Sequence, residues 1–424
     1  MNKGKLILII FIIISLLALA GLYQYKSSHK PEFIGQQIKI GLVGPWTGFS
    51  AENGLSMKKG VELAVMNINK TGGVNGHEII LIDYDDKGSP SECVKAVKQL
   101  AEIHNVAAII GPFNSSCALA VIDIINNLQI PLITPVAMAD AINLKDDYIF
   151  RNTLGVTQAN EKTNDFVFFK NKQYIMLDGF GAKTLGVLWQ NDIWGSQMQE
   201  TVLSDLKKIG RTDALIFDEP FELGQSDFSK LFKKYNSNFP DVIYVVALDK
   251  EAIKIVRQGR EAGFKGLFYG EGGFNVQNFD SDLGELAQGC LFSTQWHPSF
   301  STPMSDLFIK LYTDNYNDTP DMFSAISYEA TYILERSLSR TIAYQGKEDY
   351  RQYLRKELSQ TKNFSGITGD ISFDSVGQSD RPVFIMQKRW SGQDIESVII
   401  YPTKYAQSNL VLNFDFEKLF KKDK

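Results

Sequence analysis

Apolar positions along this chain switch between two spacings. Residues 38–43, 106–110 and 130–133 are short apolar runs rich in Ile, Leu and Val, and they predict strands. Between them, Met57, Val61, Ala64, Val65 and Ile68 recur at the spacing of one helix face. Cys93, Ala96, Val97, Leu100 and Ala101 mark a second such helix, and Cys117, Val121, Ile124, Ile125 and Leu128 a third. Residues 78–83 read as another strand, entered through the turn cluster Gly72-Gly73-Val74-Asn75-Gly76. Strands alternating with helices of this length predict right-handed βαβ units and a parallel sheet.

A crossing strand at 148–151 separates this series from a second one. Strands are expected at 184–189, 214–221, 241–246 and 266–269, with helices at 195–209, 228–235 and 252–262. Residues 290–294 read as a return crossing and 371–374 as a third, with helical stretches near 304–316, 323–341 and 347–360 between them. Late strands are expected at 382–390 and 396–401. Two doubly wound sheets joined by several crossings make a two-lobed α/β body, with a cleft that hinge closure can seal over a ligand.

Three strands of the first series run straight into loops that carry chemistry. These are Gly44-Pro45-Trp46-Thr47-Gly48, Gly111-Pro112-Phe113-Asn114-Ser115-Ser116 and Thr134-Pro135-Val136-Ala137-Met138. In open α/β sheets ligands bind outside the carboxyl ends of the strands, so the three loops describe one small-molecule site.

Composition narrows the function. The 424 residues, 44% of them hydrophobic, suffice for two domains or more. A formal charge of −5 with no long basic run argues against nucleic acid as a partner. Lys3 and Lys5 precede an apolar run at 6–22, and Ala18-Leu19-Ala20 fits a cleavage site. Residues 1–22 are therefore expected to be a signal peptide or an uncleaved anchor, and polar residues 23–36 a tether. The folded part then lies in the periplasm or another extracytoplasmic space, free or held to the inner membrane by residues 6–22. Leu22 stands where a lipoprotein box would need cysteine.

Cys93 and Cys117 fall near the starts of successive helices. They either pair in an oxidising compartment or are two small buried residues; Cys290 reads as core. The cysteine spacing suggests no metal site. His29, His77, His104 and His297 are scattered, and no HExxH, GxSxG or GxxxxGK[ST] pattern occurs. The chain is not expected to be an enzyme or to carry a cofactor.

Taken in order, the motifs resemble the type I periplasmic binding proteins, in their branched-chain amino-acid (Leu/Ile/Val) branch. The residues carrying the resemblance are Ile40-Gly41-Leu42-Val43-Gly44-Pro45 with Thr47-Gly48, Gly60-Val61-Glu62-Leu63-Ala64 with Ile68-Asn69, and Gly72-Gly73-Val74-Asn75-Gly76. Asp85-Asp86 with Pro90, Ile110-Gly111-Pro112 with Ser115-Ser116, Phe150-Arg151, Arg257-Gln258 with Glu261-Ala262-Gly263, and Phe373-Asp374 with Gly377 continue it over 38–402. The resemblance implies two Rossmann-like lobes joined by a three-strand hinge. Lobe 1 would be 37–150 with 295–372, lobe 2 would be 151–294 with 373–405, and 406–424 a C-terminal tail. It also implies a monomeric receptor that delivers a small polar solute, an amino acid or related carboxylate or amide, to an ABC importer permease. An anchored receptor that signals to a membrane partner is the alternative, and a sugar-responsive repressor is excluded because an apolar segment stands where its DNA-binding helices would be.

The resemblance also assigns site residues. Ser115 and Ser116 match serines that hold the ligand carboxylate, at a helix start where free N–H groups favour an anion; plain capping by Ser115 is the other reading. Met138 stands where the family often has a hydroxyl, so Val136, Ala137 and Met138 would offer backbone groups and an apolar wall. Trp194-Gly195 matches a family Tyr-Gly whose ring covers the ligand, Phe323 another cleft aromatic, and Asn53 a weaker contact position. An acidic residue after the last strand of the second series pairs with the ligand ammonium in this family. Counted without gaps from Arg257-Gln258, Gly272 takes that position and Glu271 precedes it, so Glu271 is either the amine partner or a solvated loop carboxylate.

Overall fold

The computed structural model describes residues 37–142, 147–167, 182–342 and 350–411. The expected signal or anchor, the tether and all but the start of the C-terminal tail lie outside the described residues.

The first body is an open parallel sheet. Its elements are β1 (Gln37–Gly44), α1 (Ala51–Lys70), β2 (Glu78–Asp85), α2 (Pro90–Lys98), β3 (Ala108–Ile110), α3 (Ser115–Leu128), β4 (Leu132–Thr134) and β5 (Ile149–Arg151). The strand order is β2-β1-β3-β4-β5, every pair parallel, with Ile40 opposite both Leu81 and Ala108. The helical spacing of Met57, Val61, Ala64 and Ile68 puts all four in the core. The expected crossing at 148–151 is thus mostly an edge strand of this sheet, and the chain leaves the body just after it.

The second body begins with α4 (Val156–Val167) and continues through β6 (Leu185–Gln190), α5 (Ile193–Lys208), β7 (Leu215–Phe221), α6 (Ser229–Tyr235), β8 (Val242–Val246), α7 (Asp249–Glu261), β9 (Leu267–Gly270), α8 (Gln277–Leu283) and β10 (Leu291–Thr294). Helices α9 (Pro303–Tyr316), α10 (Met322–Ile342) and α11 (Tyr350–Ser359) follow, then β11 (Phe364–Gly366), β12 (Gly369–Phe373), β13 (Ser379–Asp380), β14 (Phe384–Trp390) and β15 (Ile395–Tyr401). The second sheet runs β15-β14-β10-β9-β8-β6-β7, parallel except for the antiparallel β14 and β15.

Two expectations are corrected here. Residues 290–294 form a strand inside the second sheet, because four apolar or small side chains there pair with β9 and β14; the return to the first body follows β10. Residues 371–374 belong mostly to β12 of a separate antiparallel sheet, β11-β12-β13, and the third connection comes after it. Helix α10 packs on α1 so closely that a Cβ on Gly60 would stand 2.1 Å from the Ser324 carbonyl oxygen, which only glycine permits.

Three connections pass between the bodies, and buried polar groups tie them together. Gln295 donates to Thr153 Oγ1 at 2.8 Å and accepts from the Leu154 N–H at 3.1 Å. Gln378 donates to the Thr153 carbonyl at 2.7 Å. Arg381 pairs with Glu329 of α10 and donates to Asn152 Oδ1 at 2.9 Å. Asn152 donates to Glu329 Oε1 at 2.9 Å, and the Ile367 N–H to Glu329 Oε2 at 2.7 Å. Both charged side chains are wholly buried.

Removing one member of such a pair leaves an uncompensated buried charge. Glu329→Ala is expected to lower the unfolding free energy by about 3–5 kcal/mol, read from denaturant midpoints at unchanged slope. A loss below about 1 kcal/mol would show that the pair does not hold the connections.

Cys93 of α2 and Cys117 of α3 lie side by side in the first core, both free thiols and both buried. The neighbouring Cys117 thiol and then burial hold the Cys93 thiol well above its ordinary value. In protein recovered from an oxidising compartment, alkylation after unfolding is expected to label all three cysteines before reduction as well as after it. A single label before reduction would show that Cys93 and Cys117 are paired.

Candidate functional site

The carboxyl ends of both sheets face one cavity, whose empty volume of about 830 Å³ includes open solvent at its mouth. The first body contributes Phe113, Asn114 and Ser115 from the β3–α3 turn, Pro135, Val136 and Met138 after β4, and Met322, Phe323 and Ile326 from α10. The second contributes Gln190, Asp192 and Trp194 around the start of α5, Leu248 after β8, Glu271, Gly272 and Gly273 after β9, and Ser293 and Thr294 of β10. Most of this wall is apolar. Phe113 and Phe323 pack edge to face, with ring centroids 5.2 Å apart.

Ser115 is the first residue of α3, and Asn114 holds the cap position without a side-chain cap bond. Ser115 is therefore not the cap. Its Oγ accepts from the N–H groups of Met138 and Ala139, both at 3.2 Å, which ties the loop after β4 to the helix start and leaves its own hydroxyl proton to donate. Arg151 takes the Met138 carbonyl at 2.9 Å. Met138 thus has both backbone groups occupied; it lines the cavity and packs against apolar side chains of the second body.

Trp194 is positioned by the start of α5. Asp192 caps that helix, accepting from the Gly195 N–H at 2.8 Å. A Cβ on Gly195 would come within 1.9 Å of the Gln190 carbonyl oxygen, so glycine at this position is a steric requirement of the turn. Burial raises the Asp192 carboxyl above its ordinary value. Gln190 donates its Nε2 to Asp192 Oδ2 at 2.6 Å. Trp194 Nε1, Gln190 Oε1 and Asn114 Oδ1 are all buried without a hydrogen-bond partner among the described residues. An orphaned buried polar atom costs about 1–3 kcal/mol; Asn114 belongs to the first body, and Gln190 and Trp194 to the second.

Glu271 supplies the carboxylate of the site. Tyr244 donates to Oε1 at 2.8 Å and Ser293 donates to Oε2. Burial pushes its carboxyl up to about 7, with the two hydroxyls pulling the other way. Among the described residues no cation pairs with it. The glycine beside it has a separate reason: a Cβ on Gly272 would stand 3.0 Å from the Phe323 ring.

Of the residues expected from sequence, Ser115, Val136, Met138, Trp194, Glu271 and Phe323 line the cavity. Ser116, Ala137 and Asn53 do not. Ser116 is half-buried on α3, outside the lining. Ala137 turns into the first core. Asn53 donates to Asp249 Oδ1 at 2.5 Å, a contact between the two bodies. Sequence reasoning missed Gln190, Asp192 and Ser293. The strand-end rule would have found Gln190 had β6 been drawn one residue longer, and Asp before a helix is a cap signal.

One trio among the described residues brings metal-capable atoms within 4.8 Å of one another: Asp86, Cys93 and Cys117. It lies in the first core, outside the cavity, and the raised Cys93 thiol disfavours the thiolate that metal coordination needs. No helix among the described residues is long and apolar enough to cross a membrane.

Comparison with known proteins agrees with this geometry. The family model described as "Periplasmic binding protein" matches residues 37–393. The Leu/Ile/Val-binding protein homolog 3 of Brucella melitensis is 25% identical over 348 residues, covering 82% of this chain and 90% of that one. The Leu/Ile/Val-binding protein of Citrobacter freundii is 25% identical over 81% of this chain and 88% of its own. Among solved structures, the branched-chain amino-acid transporter substrate-binding protein LivJ from Streptococcus pneumoniae, in complex with isoleucine, superimposes with a TM-score of 0.74 at 25% identity over 86% of this chain and 100% of that one. A solute-binding protein from R. palustris, in complex with benzoate, shares the fold with a TM-score of 0.73 at 19% identity over 89% and 98%.

Glu271 makes a pH signature for the ligand-free protein. A carboxyl raised to about 7 keeps its proton in the folded state while the unfolded chain has lost it, so stability falls as pH rises from about 4.5 to 7. Glu271→Gln removes that penalty. It is expected to raise the melting temperature at pH 8 and to leave it nearly unchanged at pH 4.5. A wild-type and variant difference independent of pH would contradict the buried carboxyl.

Proposed function

The chain belongs to the periplasmic binding protein family, and from that premise we propose that it is an extracytoplasmic solute receptor that closes on a free amino acid and delivers it to an ABC importer. The observation that carries this reading is the Glu271 carboxylate, desolvated on the cavity wall and held only by hydroxyl donors. An ammonium group supplies the missing cation and a charge-assisted bond. The start of α3, with the free Ser115 hydroxyl proton and the first-turn N–H groups, suits the ligand carboxylate. Trp194 and Phe323 cover the rest of the ligand from the two bodies. Relatives named for leucine, isoleucine and valine, and a neighbour holding isoleucine, support an amino-acid ligand. The sensing alternative depends on residues 6–22, which lie outside the described residues.

The mechanism couples binding to a proton. Below pH 7 the Glu271 carboxyl is largely protonated, and pairing with an ammonium expels that proton. Affinity for an amino acid is expected to weaken up to tenfold per pH unit below 7 and to level off above it.

A panel of amino acids and their des-amino acids tests this by thermal shift and calorimetry on protein lacking residues 1–30. An amino acid is expected to raise the melting temperature and to release close to one proton at pH 6, read from buffers of different ionisation enthalpy. Glu271→Gln is expected to weaken it roughly 10–100-fold, the worth of a charged hydrogen bond, and to abolish proton release. No stabilisation by any amino acid, or equal affinity in Glu271→Gln, would overturn the reading.

A further inference from the structure

We propose that Tyr244 and Ser293 are positioning residues for ligand capture: their hydroxyl groups hold both oxygens of the Glu271 carboxylate and so set the pH above which the ligand ammonium is bound. The inference rests on the amino-acid reading above and deepens it to the regulation of that same site.

Sheet register brings the three side chains together. Tyr269 of β9 stands opposite Tyr244 of β8 on one side and Leu291 of β10 on the other. Side chains two residues apart share a face, so Glu271, two beyond Tyr269, comes out on the Tyr244 face and beside Ser293, two beyond Leu291. The contacts agree. Tyr244 donates to Oε1 at 2.8 Å and Ser293 donates to Oε2, so each flanking strand supplies one donor to one oxygen. The Tyr244 ring stacks on Tyr269 with centroids 5.1 Å apart, and Tyr269 hydrogen-bonds with Ser293 and with Thr163 of α4. The two donors are therefore held by their own neighbours.

A hydroxyl that donates to a carboxylate favours its ionised form, the form that pairs with an ammonium. Burial pushes Glu271 up to about 7, and Ser293 and then Tyr244 pull it back. No other charge takes part among the described residues. The titratable groups facing Glu271 are Tyr244 and Tyr269, while β10 offers hydroxyls and α10 offers Met322 and Phe323. Asp192, the other carboxyl of the cavity, stands at the start of α5 and is not among the groups that shift Glu271. Burial and then Glu271 itself hold both phenols well above their ordinary value, so Tyr244 stays a donor throughout the range in which Glu271 gains and loses its proton.

Ser293→Ala and Tyr244→Phe each remove one donor, from different strands, and test the role in two ways. In calorimetry with L-leucine and L-isoleucine, each variant is expected to bind about tenfold more weakly than wild type at pH 6 and within about threefold of it at pH 8.5, as a midpoint raised by about one pH unit requires. In the ligand-free protein, the loss of stability with rising pH that ends near pH 7 in wild type is expected to continue to about pH 8 in each variant, read from melting temperatures. An affinity loss of the same size at every pH, or a ligand-free profile that keeps its wild-type end point in both variants, would overturn this inference and leave the amino-acid reading intact. Wild-type protein that binds no amino acid at any pH would overturn both.

Discussion

A guanidinium and a carboxylate that are both removed from water must stay in register, and here that demand locks the passages between the two bodies. Glu329 sits on a helix of the first body, Arg381 on the third connection, and Asn152 on the first connection bridges them. Gln295 from the second connection joins the first through Thr153. Every strand end that faces the cavity is placed by where these passages leave their sheets. Arg381 Nε and Nη1 are buried without partners among the described residues, so the network is not optimised for stability alone. Buried ion pairs are poor stabilisers against apolar replacements, but they tolerate few geometries. A hinge that must bend at one place suits that property.

The two sheets were legible because their strands and helices obey different periods over lengths that allow no other reading. The cavity was legible in outline because strand ends in parallel sheets gather on one edge. What the chain did not disclose depends on contacts far apart in sequence. Ser115 and Met138 both reach the cavity, yet Ser115 spends its acceptor capacity on the loop that carries Met138, and Arg151 takes the remaining backbone group. Asn53 sits early in α1, as a contact residue should, but its amide is committed to Asp249 some 196 residues away. Strands β11 and β13 span three and two residues, too short for any period, so residues 371–374 read as a crossing when their pairing makes them part of a small sheet.

The electrostatics of the cavity follow from what the wall lacks as much as from what it has. Its carboxylates, Glu271 and Asp192, are both raised by burial, and each is steadied by neutral or backbone donors. The protein therefore holds latent negative charge in an apolar setting. Such charge interacts strongly with a cation that enters and closes off water, since the medium that would screen the pair leaves with it.

The contacts that span the mouth show how reversible the enclosure must be. Asn53 meets Asp249 at 2.5 Å, and Asn278 meets Glu52 at 2.8 Å. Burial and then the nearby Asp249 raise the Glu52 carboxyl, so this contact carries repulsion as well as attraction. Lys250 lies 3.9 Å from Glu52, at an exposed position where ion pairs contribute little. These contacts are polar, and the Asp140 N–H adds another by donating to Gln197 Oε1 at 3.1 Å. Under the proposed function, a ligand that pairs with Glu271 and covers the aromatic wall adds contacts that the ligand-free state lacks, which ties closure to occupancy by the difference in contacts between the two states.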